Sequence, residues 1–226
     1  MKVDQVSYWD KNSRWYKLWR EHNRYHEPIK RILYRAIGDG KSGLDVGAGD
    51  GILSSFMGEL GFKIVALEPS EGMREYLSHS VRGKNGKVQI DPRRFEDVDP
   101  HEIRRYDFVV ACNSLHLTEG GIELSLRKMF ESKVRSIFIV TEKPLPSEIL
   151  FFCRSYRLVF FHSYQIISSY AYHKEEELYE HFLFKKRYGL STKTIIKHFK
   201  NLTYEDGHFW IRDVERVNIF LWRRAK

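Results

Sequence analysis

The stretch Asp45-Val46-Gly47-Ala48-Gly49-Asp50-Gly51 alternates glycines with acids, and Glu68 closes the next apolar run. Glycines where a strand turns into a helix let backbone N–H groups approach a ligand with no Cβ in between. An acid one strand later can accept hydrogen bonds from both hydroxyls of a ribose. The pattern predicts a nucleoside-binding turn. Its spacing argues against a dinucleotide, because G-x-G-x-x-G sets its third glycine five positions after the first, whereas Gly51 comes four after Gly47. Asp45 would also repel a pyrophosphate, while it suits a ligand that carries an amine and a sulfonium.

Two other patterns fall away on inspection. Gly38-Asp39-Gly40-Lys41-Ser42 ends like a phosphate-binding G-x-x-x-x-G-K-S loop, but position 35 is arginine and no buried strand precedes it. The ten histidines include no H-E-x-x-H or other chelating spacing, so no catalytic metal is expected.

The elements that must position the turn are read from hydrophobic period. Trp15, Leu18, Trp19, His22, Tyr25 and His26 recur at helical spacing, and Ile29, Ile32, Leu33 and Ile37 continue beyond Pro28 in a second helix that Gly38 to Gly40 ends. From residue 42 to about 141, short apolar runs at 44–46, 63–67, 88–90, 107–111 and 136–141 alternate with amphipathic helices, one of them capped by Ser70. The expected fold is α/β: a doubly wound, mostly parallel seven-stranded sheet with a C-terminal antiparallel hairpin and an N-terminal helical cap. Its ligand belongs at the carboxyl ends of the strands, beside the first strand. The cap is placed at 1–40 and the main domain at 41–226. Within the latter, 144–200 is read as an aromatic-rich insertion or lid containing part of a covering helix, with Phe151, Phe152, Tyr156, Phe160, Phe161, Tyr164, Tyr170 and Tyr172 among its rings. Ser191 or Thr192 caps a later helix, and 202–211 and 214–222 form the terminal hairpin.

The run Leu44 to Gly51, with Leu67-Glu68-Pro69-Ser70, resembles the first two motifs of the class I S-adenosylmethionine-dependent methyltransferases, and the likeness extends over 40–141 and the hairpin. It implies S-adenosylmethionine as cofactor. Glu68, followed by Pro69, would hold the ribose. Asp45 and the backbone of Gly47, Ala48 and Gly49 would lie under the amino acid moiety. Met73 would pack on the adenine, with Phe95 and Glu96 at its edge. The resemblance also makes Asn113 a cofactor contact, Tyr16 the tyrosine that approaches the cofactor carboxylate, and His116 a candidate general base. His22 and His26 are second choices on the substrate side, and plain packing roles stay open for these histidines.

Bulk properties bound the function. A chain of 226 residues holds a sizeable core, and its two cysteines form no C-x-x-C, which fits a reducing compartment. No apolar leader and no run of about 18 apolar residues occurs, so a cytoplasmic protein with no membrane association is expected. The net charge of +8 is spread along the chain with acids interleaved, which leaves nucleic acid as the less favoured partner. The expectation is methyl transfer to a small, partly apolar acceptor. The alternatives are an RNA or tRNA methyltransferase using the basic surface and a non-catalytic nucleoside-binding relative. Oligomeric state stays open.

Overall fold

A computed structural model describes residues 4–83, 87–146, 148–149 and 155–225. In chain order the elements are α1 (Gln5–Glu21), α2 (His26–Ile37), β1 (Ser42–Val46), α3 (Ile52–Glu59), β2 (Lys63–Leu67), α4 (Glu71–Val81), β3 (Val88–Asp91), α5 (Pro100–Ile103), β4 (Phe108–Cys112), α6 (Gly121–Glu131), β5 (Ser136–Thr141), β6 (Tyr156–Tyr172), α7 (Glu175–Arg187), α8 (Thr192–Lys200), β7 (Leu202–Glu205) and β8 (His208–Arg224). The chain forms two compact units: a sheet unit of His26–Tyr164 with Arg216–Lys226, and an aromatic unit of Met1–Tyr25 with Gln165–Glu215. The divisions fall after residues 25, 164 and 215.

In the sheet unit the strand order is β3-β2-β1-β4-β5-β8-β6. β1 pairs in parallel with β2 and β4, β2 with β3, and β4 with β5, while β8 runs antiparallel to β5 from Ser136↔Arg223 to Thr141↔Asn218. The parallel strands are mostly apolar because helices cover both faces. All six residues of β5 are buried, and Leu44, Val109, Ile137, Met129 and Trp222 are almost inaccessible in the main core. The chain departs from β1 towards β2 and β3, then returns to β4 on the other side. That reversal opens a crevice at the carboxyl ends of β1 and β4.

The aromatic unit has its own core of Trp15, Tyr172, Leu178, Phe182 and Ile211. Asn23 bonds the backbone of β6 in both directions, donating from Nδ2 to the Ser169 carbonyl (2.6 Å) and accepting from the Ser169 N–H (2.8 Å), as a strand neighbour would. Trp19 Nε1 donates to Ser168 Oγ at 2.9 Å.

One expectation needs correction, that of the hairpin turn. Residues 156–172, inside the segment read as an insertion or lid, are a single strand of 17 residues, and a helix, α7, follows at Glu175–Arg187. Tyr, Val, Phe and Ile dominate the segment, and such side chains favour a pleated surface over a helix. The hairpin exists, but its turn is Asp206-Gly207 rather than the polar residues near 212, so β7 is short and β8 long. Both turn residues have positive φ (51° and 78°), as a tight Asp-Gly turn requires. With β7 paired to β8, the sheet counts eight strands instead of seven. Phe151, Phe152 and Cys153 lie outside the described residues.

Candidate active site

The crevice is built from the loops that leave the carboxyl ends of the parallel strands. After β1 the backbone passes through Gly47, Gly49 and Gly51, all at positive φ (65°, 59° and 79°). At Gly47 a side chain is excluded twice over, since an added Cβ would lie 2.4 Å from Ser114 Cβ. Ser114, just beyond β4, donates its hydroxyl to the Val46 carbonyl and so ties the β4 loop across the β1 turn. Ser114 escaped the sequence reading because nothing in a bond spanning 68 positions is visible locally.

Glu68, immediately after β2, is buried, with each carboxylate oxygen accepting one backbone N–H: Gly49 on Oε2 at 2.8 Å and Ser70 on Oε1 at 2.9 Å. Each oxygen keeps a further lone pair, so the group can still accept from two ribose hydroxyls. Burial pushes its carboxyl up to about 7, against the opposing pull of the two N–H donors and Arg74. Arg74 is spent on the backbone, donating to the carbonyls of Glu68 (3.0 Å) and Pro69 (2.7 Å). Asp45, on β1, is likewise buried and raised to about 6 by desolvation, although Ser54 Oγ donates to it at 2.6 Å. Two buried acids, neither bonded to a side-chain cation among the described residues, make a place that favours positive charge. A sulfonium nucleoside with an α-amine meets that demand and the lone pairs of Glu68 together, so the residues present fit S-adenosylmethionine.

Met73 is buried on α4, in the first turn capped by Ser70, with its Cε 3.4 Å from where a Gly49 Cβ would stand. Phe95 lies in the core with its carbonyl bonded by Lys128 Nζ, which also bonds the Glu96 carbonyl, both at 2.8 Å. The Glu96 carboxylate accepts the Glu119 N–H. Asn113 follows β4 at φ 51°, a left-handed conformation that asparagine tolerates. It pairs reciprocally with Glu142 after β5, donating from Nδ2 to Oε1 and accepting the Glu142 N–H, both at 3.0 Å. Glu142 was missed, though it closes an apolar run just as Glu68 does. His116 sits in a 3-10 turn over Leu115–Leu117, where burial and then Lys143 lower its pKa and hold the ring neutral.

Of the remaining sequence candidates, His26 is buried at the start of α2 in the sheet unit. Tyr16 and His22 belong to the aromatic unit. There Tyr16 lies against Trp9 and Trp19 (ring centroids 5.8 and 5.4 Å), and His22 Nδ1 bonds the Leu18 carbonyl at 2.9 Å. The Gly38-to-Ser42 loop holds an internal anion: Asp107 Oδ2 accepts the Lys41 N–H (2.7 Å) and the Ser42 N–H (3.0 Å). Among the described residues no group of three or more His, Cys, Asp or Glu could hold a metal ion, and no helix is long and apolar enough to cross a membrane.

Comparison with known proteins finds the fold in solved methyltransferases. Magnesium protoporphyrin IX methyltransferase of Synechocystis PCC 6803, solved with bound S-adenosylmethionine, aligns over 100% of this chain and 99% of its own at 11% identity, with a TM-score of 0.59. A candidate RNA methyltransferase of Pyrococcus horikoshii aligns over 87% and 82% at 15% identity (TM-score 0.57), and TehB of Haemophilus influenzae over 98% and 67% at 15% (TM-score 0.57). Among curated protein sequences none matches the chain significantly. Residues 18–119 match the family model described as a methyltransferase domain, and the sheet order and crevice above are those of the class I methyltransferase fold.

Proposed function

We propose that the chain transfers the methyl group of S-adenosylmethionine to a small, partly apolar acceptor. The observation that carries this reading is the sign of the charge at the crevice. Asp45, Asp50 and Glu142 all act on the Cys112 thiol at the end of β4, which burial and these acids push up. A phosphate chain brought to that edge would be repelled. Five of the arginines are meanwhile engaged by acids: Arg93 by Asp91 and Glu102 (2.6 Å each), Arg135 by Asp39 (2.9 Å), Arg127 by Glu123 (2.8 Å), Arg212 by Glu205 (2.7 Å) and Arg14 by Glu180 (2.8 Å). A nucleic-acid face needs unpaired cations in a stripe.

The bound cofactor supplies the methyl group on its sulfonium. In this reading Glu68 holds the ribose, Asp45 and the 47–49 backbone orient the amino acid end, and the Asn113-Glu142 pair fixes the rim of the β4 loop. Orientation and exclusion of water lower the barrier for an acceptor aligned with the methyl group. Where the acceptor must lose a proton, His116 is the base, since a ring kept neutral can take one at physiological pH. A cytoplasmic location accords with the free Cys112 thiol. Incubation with methyl-labelled S-adenosylmethionine and fractionated cell extract tests the assignment. Label should enter the small-molecule fraction, and label confined to RNA would overturn it.

A further inference from the structure

The hydroxyl of Tyr164, the last residue of β6 within the sheet unit, is fully buried and has no hydrogen-bond partner among the described residues. Buried hydroxyls are bonded as a rule, and an orphan costs stability unless something else engages it. Its surroundings tie Tyr164 to the end of β4. It neighbours Cys112, the residue immediately before Asn113 at the carboxyl end of β4, and its ring stacks on His162 at 5.5 Å. Burial, and then Cys112, push the phenol up to about 12, so the group is a proton-bearing donor at any physiological pH. The Cys112 thiol is held protonated by burial and the nearby acids.

We infer that Tyr164 is an acceptor-binding residue: its O–H donates to a carbonyl or hydroxyl oxygen of an uncharged small molecule seated at the end of β4. This rests on the small-acceptor reading above and names the chemistry that would satisfy it. An anion is disfavoured by Asp45, Asp50 and Glu142, all of which act on Cys112. A hydrocarbon would leave the phenol as orphaned as before.

The test is Tyr164→Phe, read in three ways. The removed hydroxyl has no internal partner, so the thermal midpoint should stay level or rise. Calorimetric binding of S-adenosylhomocysteine should stay within about twofold. With methyl-labelled S-adenosylmethionine and the small-molecule fraction of a cell extract as acceptor source, the half-saturating amount of extract should rise about three- to tenfold while the rate at saturation is kept, the loss of one neutral hydrogen bond. A variant with unchanged half-saturation overturns the inference, as does one whose thermal midpoint falls, since the hydroxyl would then be structural. A wild type that labels no small molecule defeats the proposed function itself and the inference with it, a result distinct from a working enzyme indifferent to the substitution.

Discussion

The two units bury ionisable groups to opposite ends. In the sheet unit Asp45 and Glu68 are buried acids whose carboxyls rise to about 6 and about 7, neither bonded to a side-chain cation among the described residues. In the aromatic unit His181 is fully buried, stacked on Trp15 at 4.6 Å, and bonded at 2.7 Å to the Tyr172 hydroxyl; desolvation drives it down to about 2, so it is neutral. One arrangement keeps charge waiting for a cation from outside. The other removes charge and joins two neutral groups. A buried polar residue by itself therefore says little about function, and what separates the two regions is the charge each group can keep: acids that ionise near neutral pH in one, a histidine held neutral in the other.

The largest expected effect lies in the aromatic unit. Trp15 is 4% exposed at the centre of its core, so Trp15→Ala should lower stability by about 3–5 kcal/mol in denaturant titration. A loss near zero would mean that this unit has no cohesive core.

Acid should then move the two regions in contrary directions. An acid with a raised pKa costs stability above its folded value and less as pH falls towards its unfolded value. Between pH 8 and 5, Asp45 and Glu68 together should return about 4 kcal/mol to the cofactor-free sheet unit, against a smaller opposing contribution from His116. A histidine with a depressed pKa behaves the other way. Below pH 6.5 the unfolded chain gains a proton that His181 refuses, which should cost the aromatic unit about 2 kcal/mol by pH 5. Hydrogen exchange, corrected for intrinsic rates, should show β1 and β2 gaining protection relative to α7 on acidification. Parallel changes in both would erase the contrast.

The smallest effect sharpens the structural side. Tyr172→Phe leaves His181 Nδ1 buried and unbonded and should cost about 1–3 kcal/mol without altering cofactor affinity. Chemical denaturation and a binding titration on the same variant check both halves.

The same divide governs how far the fold could be read from the chain. β2 and β5 were legible to the residue because a parallel strand covered on both faces is a continuous apolar run with polar flanks. The Ser70 cap was equally plain, its hydroxyl accepting the Met73 N–H at 3.2 Å. The crevice residues were legible because a glycine turn and an acid at fixed spacing are local signals. β6 was not. Its aromatic residues look alike whether they serve a pocket, a helix or a strand, and its residues from 157 to 163 are all exposed, so no inside-outside alternation marks a strand. The Asp206-Gly207 turn did carry a signal, one outweighed by the longer apolar runs around it. Ser114 matters only through a residue far away in sequence, which no local pattern records.

The central claim is that the crevice acids, Glu68 above all, hold a sulfonium nucleoside. Calorimetric titration of S-adenosylmethionine into the wild type and into Glu68→Ala tests it most directly. The wild type should bind one equivalent, and the folded variant should bind about 100-fold more weakly or not at all, as the loss of charge-assisted hydrogen bonds to two hydroxyls requires. Equal affinity in the two proteins would contradict the account.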